Sequence, residues 1–258
     1  MAQINLALLS WQQAEERFRE QPAILIPVGS IEAHGPHLPL GADSLVAEAV
    51  AVRAAQRAPA LVVPTISYGY AGMWRNFPGT LSTDPKNVRA LAGDIIRALL
   101  PFGLRHFIFV NNHSGNEGPL ELVARQFEAE QGIVIAHFYP WRIMAHLYAR
   151  LFDDYAETGG HGAEPNASVL MYLFPDDVDM ARAVADQVGS FNGFAMKGAG
   201  RMDFEGVPIE MYVDMSKINP SGVTSGHSFS ATPERGQLLV ERTVEALAGF
   251  IKAFRENV

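Results

Sequence analysis

Ala23-Ile-Leu-Ile-Pro-Val28, continued by Gly29-Ser-Ile-Glu-Ala-His-Gly-Pro-His-Leu-Pro-Leu-Gly-Ala-Asp43, is the stretch that decides the fold. The first six residues form a short, largely β-branched apolar run flanked by turn formers, the pattern of a strand buried in a parallel sheet. Open α/β sheets bind their ligands beyond the carboxyl ends of such strands. Glu32 and His34 stand two residues apart, so extended backbone points both side chains the same way, and Asp43 can return from the far end of the Gly/Pro-rich loop. Carboxylate and imidazole together suit zinc, manganese or a similar ion far better than calcium. The competing reading is a polar surface loop that holds a histidine by chance.

A second run of the same kind weakens that alternative. His106-Phe-Ile-Phe-Val110 ends in Asn111-Asn-His-Ser-Gly-Asn-Glu-Gly118, after which Leu120, Val123, Ala124 and Phe127 fall on one helical face. His113 therefore follows a buried strand among small residues that let a ligand approach the backbone. The third piece is Gly159-Gly-His-Gly-Ala-Glu164, which leads into an apolar stretch from Val169 to Phe174.

Strands at 23–28, about 60–66, 106–110 and 132–138 alternate with helices at about 44–57, 85–100, 118–130 and 141–151. That order predicts a single three-layer α/β/α domain over residues 1–258 around a mainly parallel sheet. Asp84-Pro85 and Thr232-Pro233 each supply an N-cap oxygen followed by proline in the first helical position. Val88, Leu91, Ala92, Ile95 and Leu99 make the apolar stripe of the first of these helices; Val240, Val244, Leu247, Ile251 and Phe254 make that of the second. Residues 189–230 are rich in Gly, Ser and Met and read as a lid or an oligomer arm.

Composition narrows the function. With 20 Lys+Arg against 28 Asp+Glu among 258 residues, the formal charge is −8, and no basic stripe with interleaved aromatics is present, which argues against a nucleic-acid partner. The absence of cysteine excludes disulfides, thiolate-bound zinc and a thiol nucleophile. No 18-residue apolar stretch and no basic, apolar leader occur, so no membrane partner is expected and the cytoplasm is the expected location. Neither a phosphate-binding glycine motif nor a G-x-S-x-G nucleophile elbow is found.

The motifs in this order resemble the creatininase-like (creatinine amidohydrolase) superfamily of metal-dependent amide hydrolases. They are the Pro27–Asp43 segment, Phe77-Pro-Gly-Thr-Leu-Ser82, Asn111–Asn116, His161-Gly-Ala-Glu164 and Gly222–Gly236. The resemblance implies two divalent ions per chain, Zn²⁺ or Mn²⁺ with Fe²⁺ also suitable, held by Glu32, His34, Asp43, His113 and Glu164. Asp43 would bridge them, and His161 matches a catalytic histidine. Trp74, Ser114, Gly115 and Trp141 would line the substrate pocket, and a homo-oligomer, a hexamer, is implied.

The sequence also departs from true creatininases. Where they carry a ligand glutamate two residues past the second-strand histidine, this chain has Gly115. It has Asn166 and Ala167 where a glutamate and a threonine are frequent, and Ser225-Gly-His227 where Gly-Asp-Pro is common. The expected activity is thus hydrolysis of a C–N bond in a small, possibly cyclic amide by metal-activated water, on a substrate other than creatinine. Formyl-amide, peptide or lactone hydrolysis is the alternative within the superfamily, and a non-catalytic metal-binding regulatory protein is the alternative outside it. Of the other histidines, His37 is expected to orient the metal loop, His137 and His227 are candidates to reach the pocket, and His106 and His146 are expected to be structural or at the surface. Trp11 is expected to pack within the fold.

Overall fold

Residues 3–186, 189–198 and 200–258 are described by a computed structural model. Four strands, β1 (Ala23–Val28), β2 (Ala60–Val62), β3 (Phe107–Asn111) and β4 (Ile135–Phe138), form one parallel sheet in the order β2-β1-β3-β4. Ile24 pairs with Phe107 and Val28 with Asn111, so β1 and β3 end level with each other. The chain steps from β1 to β2 on one side and then to β3 on the other. The strand order therefore reverses between β1 and β3, where an open sheet forms its ligand crevice.

Among the described residues, eight α-helices accompany the sheet: α1 (Trp11–Arg19), α2 (Ala42–Ala55), α3 (Pro85–Leu99), α4 (Glu117–Gln131), α5 (Pro140–Leu151), α6 (Tyr155–Thr158), α7 (Asn166–Leu173) and α8 (Pro233–Asn257). Side chains alternate across each strand. Leu25, Ile108 and Val110 join a core with α2, α5, α7 and α8, while Ile24, Ile26, Val28, Phe107 and Phe109 join a second core with α1, α3 and α4. Truncating a fully buried aliphatic such as Ile108 to alanine would cost about 2–5 kcal/mol. The two helix starts read from sequence form as expected: the Asp84 side chain accepts from the Lys86 N–H at 2.9 Å, and the Thr232 hydroxyl accepts from the Arg235 N–H at 3.2 Å.

The structure revises several details. The second strand is shorter than 60–66; after Val62 only a bridge between Val28 and Ile66 continues the pairing. On α3 the buried face is Val88, Ala92, Gly93, Ile96 and Leu99, so Ile96 takes the place expected of Leu91, which is exposed. Trp11 does not pack within the fold: it is 74% exposed, since Phe18 is the only residue of α1 that is buried. Residues 189–230 contain two short antiparallel hairpins, β5–β6 (Ser190–Phe191 with Phe194–Ala195) and β7–β8 (Arg201–Phe204 with Val207–Glu210). Among the described residues no helix is long and apolar enough to cross a membrane.

Candidate metal centre and active-site cleft

The loop after β1 doubles back, with the Glu32 N–H donating to the Leu40 carbonyl at 2.9 Å. This return brings the start of α2 beside the strand end. The approach is close enough that a Cβ on Gly29 would lie 2.4 Å from the Ser44 nitrogen, so only glycine fits there. Asp43 consequently lies not in the loop, as its position in sequence suggested, but in the first turn of α2, where the helix dipole favours a carboxylate. Beyond β3, the Asn112 N–H donates to the Val28 carbonyl at 2.9 Å, so His113 emerges directly over the end of β1.

Glu32, His34, Asp43 and His113 are buried and converge. His113 Nδ1 lies 3.1 Å from Asp43 Oδ2 and 3.3 Å from Glu32 Oε1; His34 Nε2 lies 3.3 Å from Asp43 Oδ1. His161 comes from the loop before α7, and its Nδ1 is 4.0 Å from Glu32 Oε1. These donors fall into two groups compact enough to hold an ion, Glu32–Asp43–His113 and Glu32–His34–His161, which share Glu32.

Each imidazole is anchored through its other nitrogen to a backbone carbonyl. His34 Nδ1 donates to Glu32 O at 3.1 Å, His113 Nε2 to Tyr70 O at 2.8 Å and His161 Nε2 to Ala33 O at 2.7 Å. A carbonyl can only accept, so these contacts place a ring proton on the anchored nitrogen and leave the other nitrogen facing the carboxylates. A ring nitrogen and a carboxylate oxygen at these distances need a cation between them, either a second ring proton or a metal ion. In addition, Glu32 Oε2 is buried with no hydrogen-bond partner in the described residues. The donor set therefore fits a divalent metal of the zinc or manganese type, with outer nitrogens held as metal-bound histidines usually are.

Without a metal, protons take that position on His113 and His34. Burial disfavours charge on His113, but Glu32 and Asp43 outweigh it and hold the ring well above its ordinary pKa; His34 is raised in the same way by Asp43. Burial alone would raise Asp43, yet His34 and His113 hold it well below the usual carboxylate range. His161 is the exception. Burial and the neighbouring His34 push it down to about 3, so it is neutral. Its ring is clasped between His34 at 4.2 Å and Trp74 at 4.0 Å, both nearly parallel to it.

Glu164 is fully buried and lines the same cleft, but its carboxylate accepts from the Ser168 hydroxyl at 2.7 Å and is not in either donor group. Burial pushes its pKa up to about 7. Trp141 is tied to the centre, since its indole Nε1 donates to Asp43 Oδ1 at 2.7 Å while the Ser30 hydroxyl donates to Oδ2 at 2.7 Å. Trp74 is buried against His161, and Ser114 and Gly115 line the opening. The cleft measures about 640 Å³.

His37 is buried, and its Nε2 donates to Ser228 Oγ at 3.1 Å, while that hydroxyl donates to Gly162 O at 3.4 Å. This tie joins the first, third and late motifs. His137 stacks on Tyr139 and His227 on Phe229; neither lines the cleft. Sequence reading missed Asn116, which bridges the Gly29 carbonyl and the Tyr70 N–H, as well as Arg75, Tyr212 and Asp214 in the cleft wall. Asn116 was legible as the last residue of the Asn-Asn-His-Ser-Gly-Asn motif. The wall residues carried no local signal.

A family profile described as creatinine amidohydrolase matches residues 7–251. The chain belongs to the creatininase family. It is 28% identical to the creatinine amidohydrolase of Pseudomonas putida over 263 residues, 95% of this chain and 94% of the relative. It is 34% identical to a mycofactocin precursor peptide peptidase of Mycolicibacterium smegmatis over 163 residues, 61% of this chain and 60% of the relative. A crystal structure of creatinine amidohydrolase superposes with a TM-score of 0.79 at 26% identity, covering 98% of this chain and 99% of that one. Similar solved creatininases include one described with Mn and a mutant of Zn-Zn type, with TM-scores of 0.77 and 0.76 at 27% identity.

The surroundings of Gly115 admit no side chain. A Cβ on Gly115 of this family member would sit 2.1 Å from the Tyr70 carbonyl oxygen and 2.5 Å from His113 Nε2. The carbonyl that anchors His113 occupies the space a side chain at 115 would need. No glutamate at that position could enter the centre without moving the anchor.

Proposed function

We propose that this chain is a dinuclear metal-dependent hydrolase that cleaves a C–N bond in an amide. The carrying observation is the set of three carbonyl-anchored imidazoles whose other nitrogens face the buried carboxylates Glu32 and Asp43. In this reading Glu32, Asp43 and His113 hold one divalent ion, and His34, Asp43 and Glu164 hold the second. The buried position of Glu164 on the cleft wall supports its inclusion, and its carboxylate would have to exchange the Ser168 hydroxyl for the ion. Zinc or manganese, with iron also suited to the donors, would supply an activated water and polarise the scissile carbonyl.

His161 moves the proton. It is neutral with Nε2–H fixed on Ala33 O, so Nδ1 is the atom that would carry a proton from the attacking water to the departing nitrogen; burial and His34 keep the ring weakly basic, so it would hold that proton only in passing. Such transfer contributes typically about 10² to 10⁴ in rate. Trp74 and His34 keep the ring in plane for both transfers. Ser30 and Trp141 each fix one oxygen of Asp43, so the carboxylate that would serve both ions is held in one orientation. Because the donors come from three distant segments that one sheet gathers, we read residues 1–258 as one metallohydrolase domain.

A second reading, hydrolysis of a formyl-amide or a peptide, is favoured by the size of the cleft. About 640 Å³ lies mid-range for sites of drug-sized ligands, roughly 300–1,000 Å³, and exceeds the needs of a small cyclic amide. The deciding experiment combines elemental analysis with hydrolysis of creatinine, N-formyl, cyclic-amide, dipeptide and lactone substrates before and after chelation. The expected outcome is two ions per chain and chelator-sensitive turnover of at least one amide. In Glu164→Gln one ion should be lost, whereas His161→Gln should keep both and lose turnover. Loss of an ion from His161→Gln with Glu164→Gln unaffected would exchange their roles. Stoichiometric metal with no turnover across the panel would favour a non-catalytic metal-binding protein.

A further inference from the structure

The wall opposite the sheet carries one feature that C–N hydrolysis does not use. Of the residues lining the cleft, Arg75 is the sole lysine or arginine, in a chain with an excess of acidic groups. It directly follows Trp74, which is stacked on His161. Its side chain is 64% exposed, facing open space rather than sealed in a structural pair.

The neighbouring carboxylate does not consume it. Asp214 is buried and already supplied with donors: Asn76 Nδ2 to Oδ2 at 2.7 Å, and the Ser216 N–H and hydroxyl to Oδ1 at 3.0 and 2.6 Å. Arg75 Nε stands 3.6 Å from Asp214 Oδ2, beyond a good hydrogen bond but close enough to aim the guanidinium. Nη1 makes a long contact of 3.4 Å with the Gly72 carbonyl, and Nη2 has no hydrogen bond to the described residues. The terminal Nη edge of a planar fork is thus left for an incoming group. Such an edge matches a carboxylate with two parallel hydrogen bonds.

We propose that Arg75 is a specificity-determining residue that binds a carboxylate on the substrate, so that the preferred amide is an anion, such as an N-acyl amino acid or the C-terminal part of a peptide. The inference deepens the hydrolase reading and rests on it for the meaning of the cleft, but its test reads binding. A metal-filled centre supports it: two divalent ions against the carboxylates of Glu32, Asp43 and Glu164 leave one positive charge in excess, which accommodates a monoanion. Asp214 acts as a positioning residue for Arg75.

The test titrates N-acetylglycine and its neutral counterpart N-acetylglycinamide into the wild-type protein, Arg75→Gln and Arg75→Lys. Binding is followed by tryptophan fluorescence and calorimetry, with the metal-loaded and the chelated protein. Wild type should bind the carboxylate compound about tenfold more tightly than the amide with metal removed, a difference of about 1.4 kcal/mol. Arg75→Gln should abolish that preference while leaving affinity for the amide unchanged, and Arg75→Lys should keep only part of it, because an ammonium lacks the fork. Equal affinities in wild type, binding of neither compound, or a preference that persists in Arg75→Gln would overturn the proposal. Failure of the hydrolase reading would show separately, as absent turnover with the binding preference intact.

Discussion

The cleft wall carried by the parallel sheet and the wall carried by residues 211–214 differ in what holds them. On the sheet side, β1 and β3 end at the same level; His113 follows backbone bonded to the end of β1, Glu32 is held by the bond to Leu40, and Asp43 by the first turn of α2. Every ring there has a fixed anchor. On the other side, Val213 joins a small cluster with Met196, Met202, Met215 and Trp74, next to hairpins whose strands are two to four residues long. Methionine fills irregular space without imposing one shape. The first wall suits chemistry, which requires fixed distances; the second suits recognition, which tolerates repacking. Trp74 belongs to both, because it stacks on His161 and packs into the methionine cluster. Any adjustment of the recognition wall is therefore felt at the ring that carries the proton.

The largest effect should come from the sheet side. Asp43→Asn keeps the size of the side chain but removes the negative charge that both proposed ions share. Activity should fall on the order of a thousandfold or more, the loss of several kcal/mol of charge stabilisation, with at least one ion missing by elemental analysis. Full activity and full metal content in this variant would remove the distinction between the walls altogether.

The next effect concerns pH and the protein without metal. His113 and His34 have raised pKa values in the fold, so their contribution is complete below the unfolded value of 6.5 and is lost as pH rises through the folded values. Glu164, raised from 4.5 to about 7, acts with the same sign across its own window. His161 and His37 are depressed; above 6.5 they are neutral in both states and drop out. Asp43, depressed, contributes fully throughout this range. The chelated protein should accordingly lose thermal stability as pH climbs above 6.5. The metal-loaded protein should not, because ions bind the deprotonated rings and are favoured by the same rise. Parallel Tm profiles for the two forms would mean that the buried cluster is not where metal and protons compete.

The same contrast explains how much could be read without coordinates. The apolar runs 23–28 and 106–110, the proline-capped starts of α3 and α8, and the convergence of Glu32, His34, Asp43 and His113 all follow from local chemistry: strand burial, N-cap oxygens, and donors placed just after strands. What stayed hidden depends on distant segments meeting. Asp43 sits in a helical turn because the loop closes through Glu32 and Leu40, and Trp141 is bound to Asp43 although 98 residues separate them. Tyr212, Val213 and Asp214 reach the cleft only because the chain around the two hairpins packs beside Trp74. Trp11 misled for a related reason: a residue type usually buried gave no sign that its helix turns it outward.

The smallest effect belongs to the second wall. Tyr212 lines the cleft but is 82% exposed, so its ring is not needed to fill the core. Tyr212→Ala should leave Tm nearly unchanged, within the roughly 0.5 kcal/mol typical of surface positions. If this wall only recognises substrate, KM should rise by about twofold or somewhat more for bulky amides while kcat holds, because contacts made equally in ground and transition states change KM alone. A fall in kcat at constant KM would mean that the wall acts on the reacting atoms through Trp74 and His161. The division between a rigid chemical wall and an adaptable recognition wall would then have to be redrawn at Trp74, with residues 211–214 counted among those that position the proton carrier.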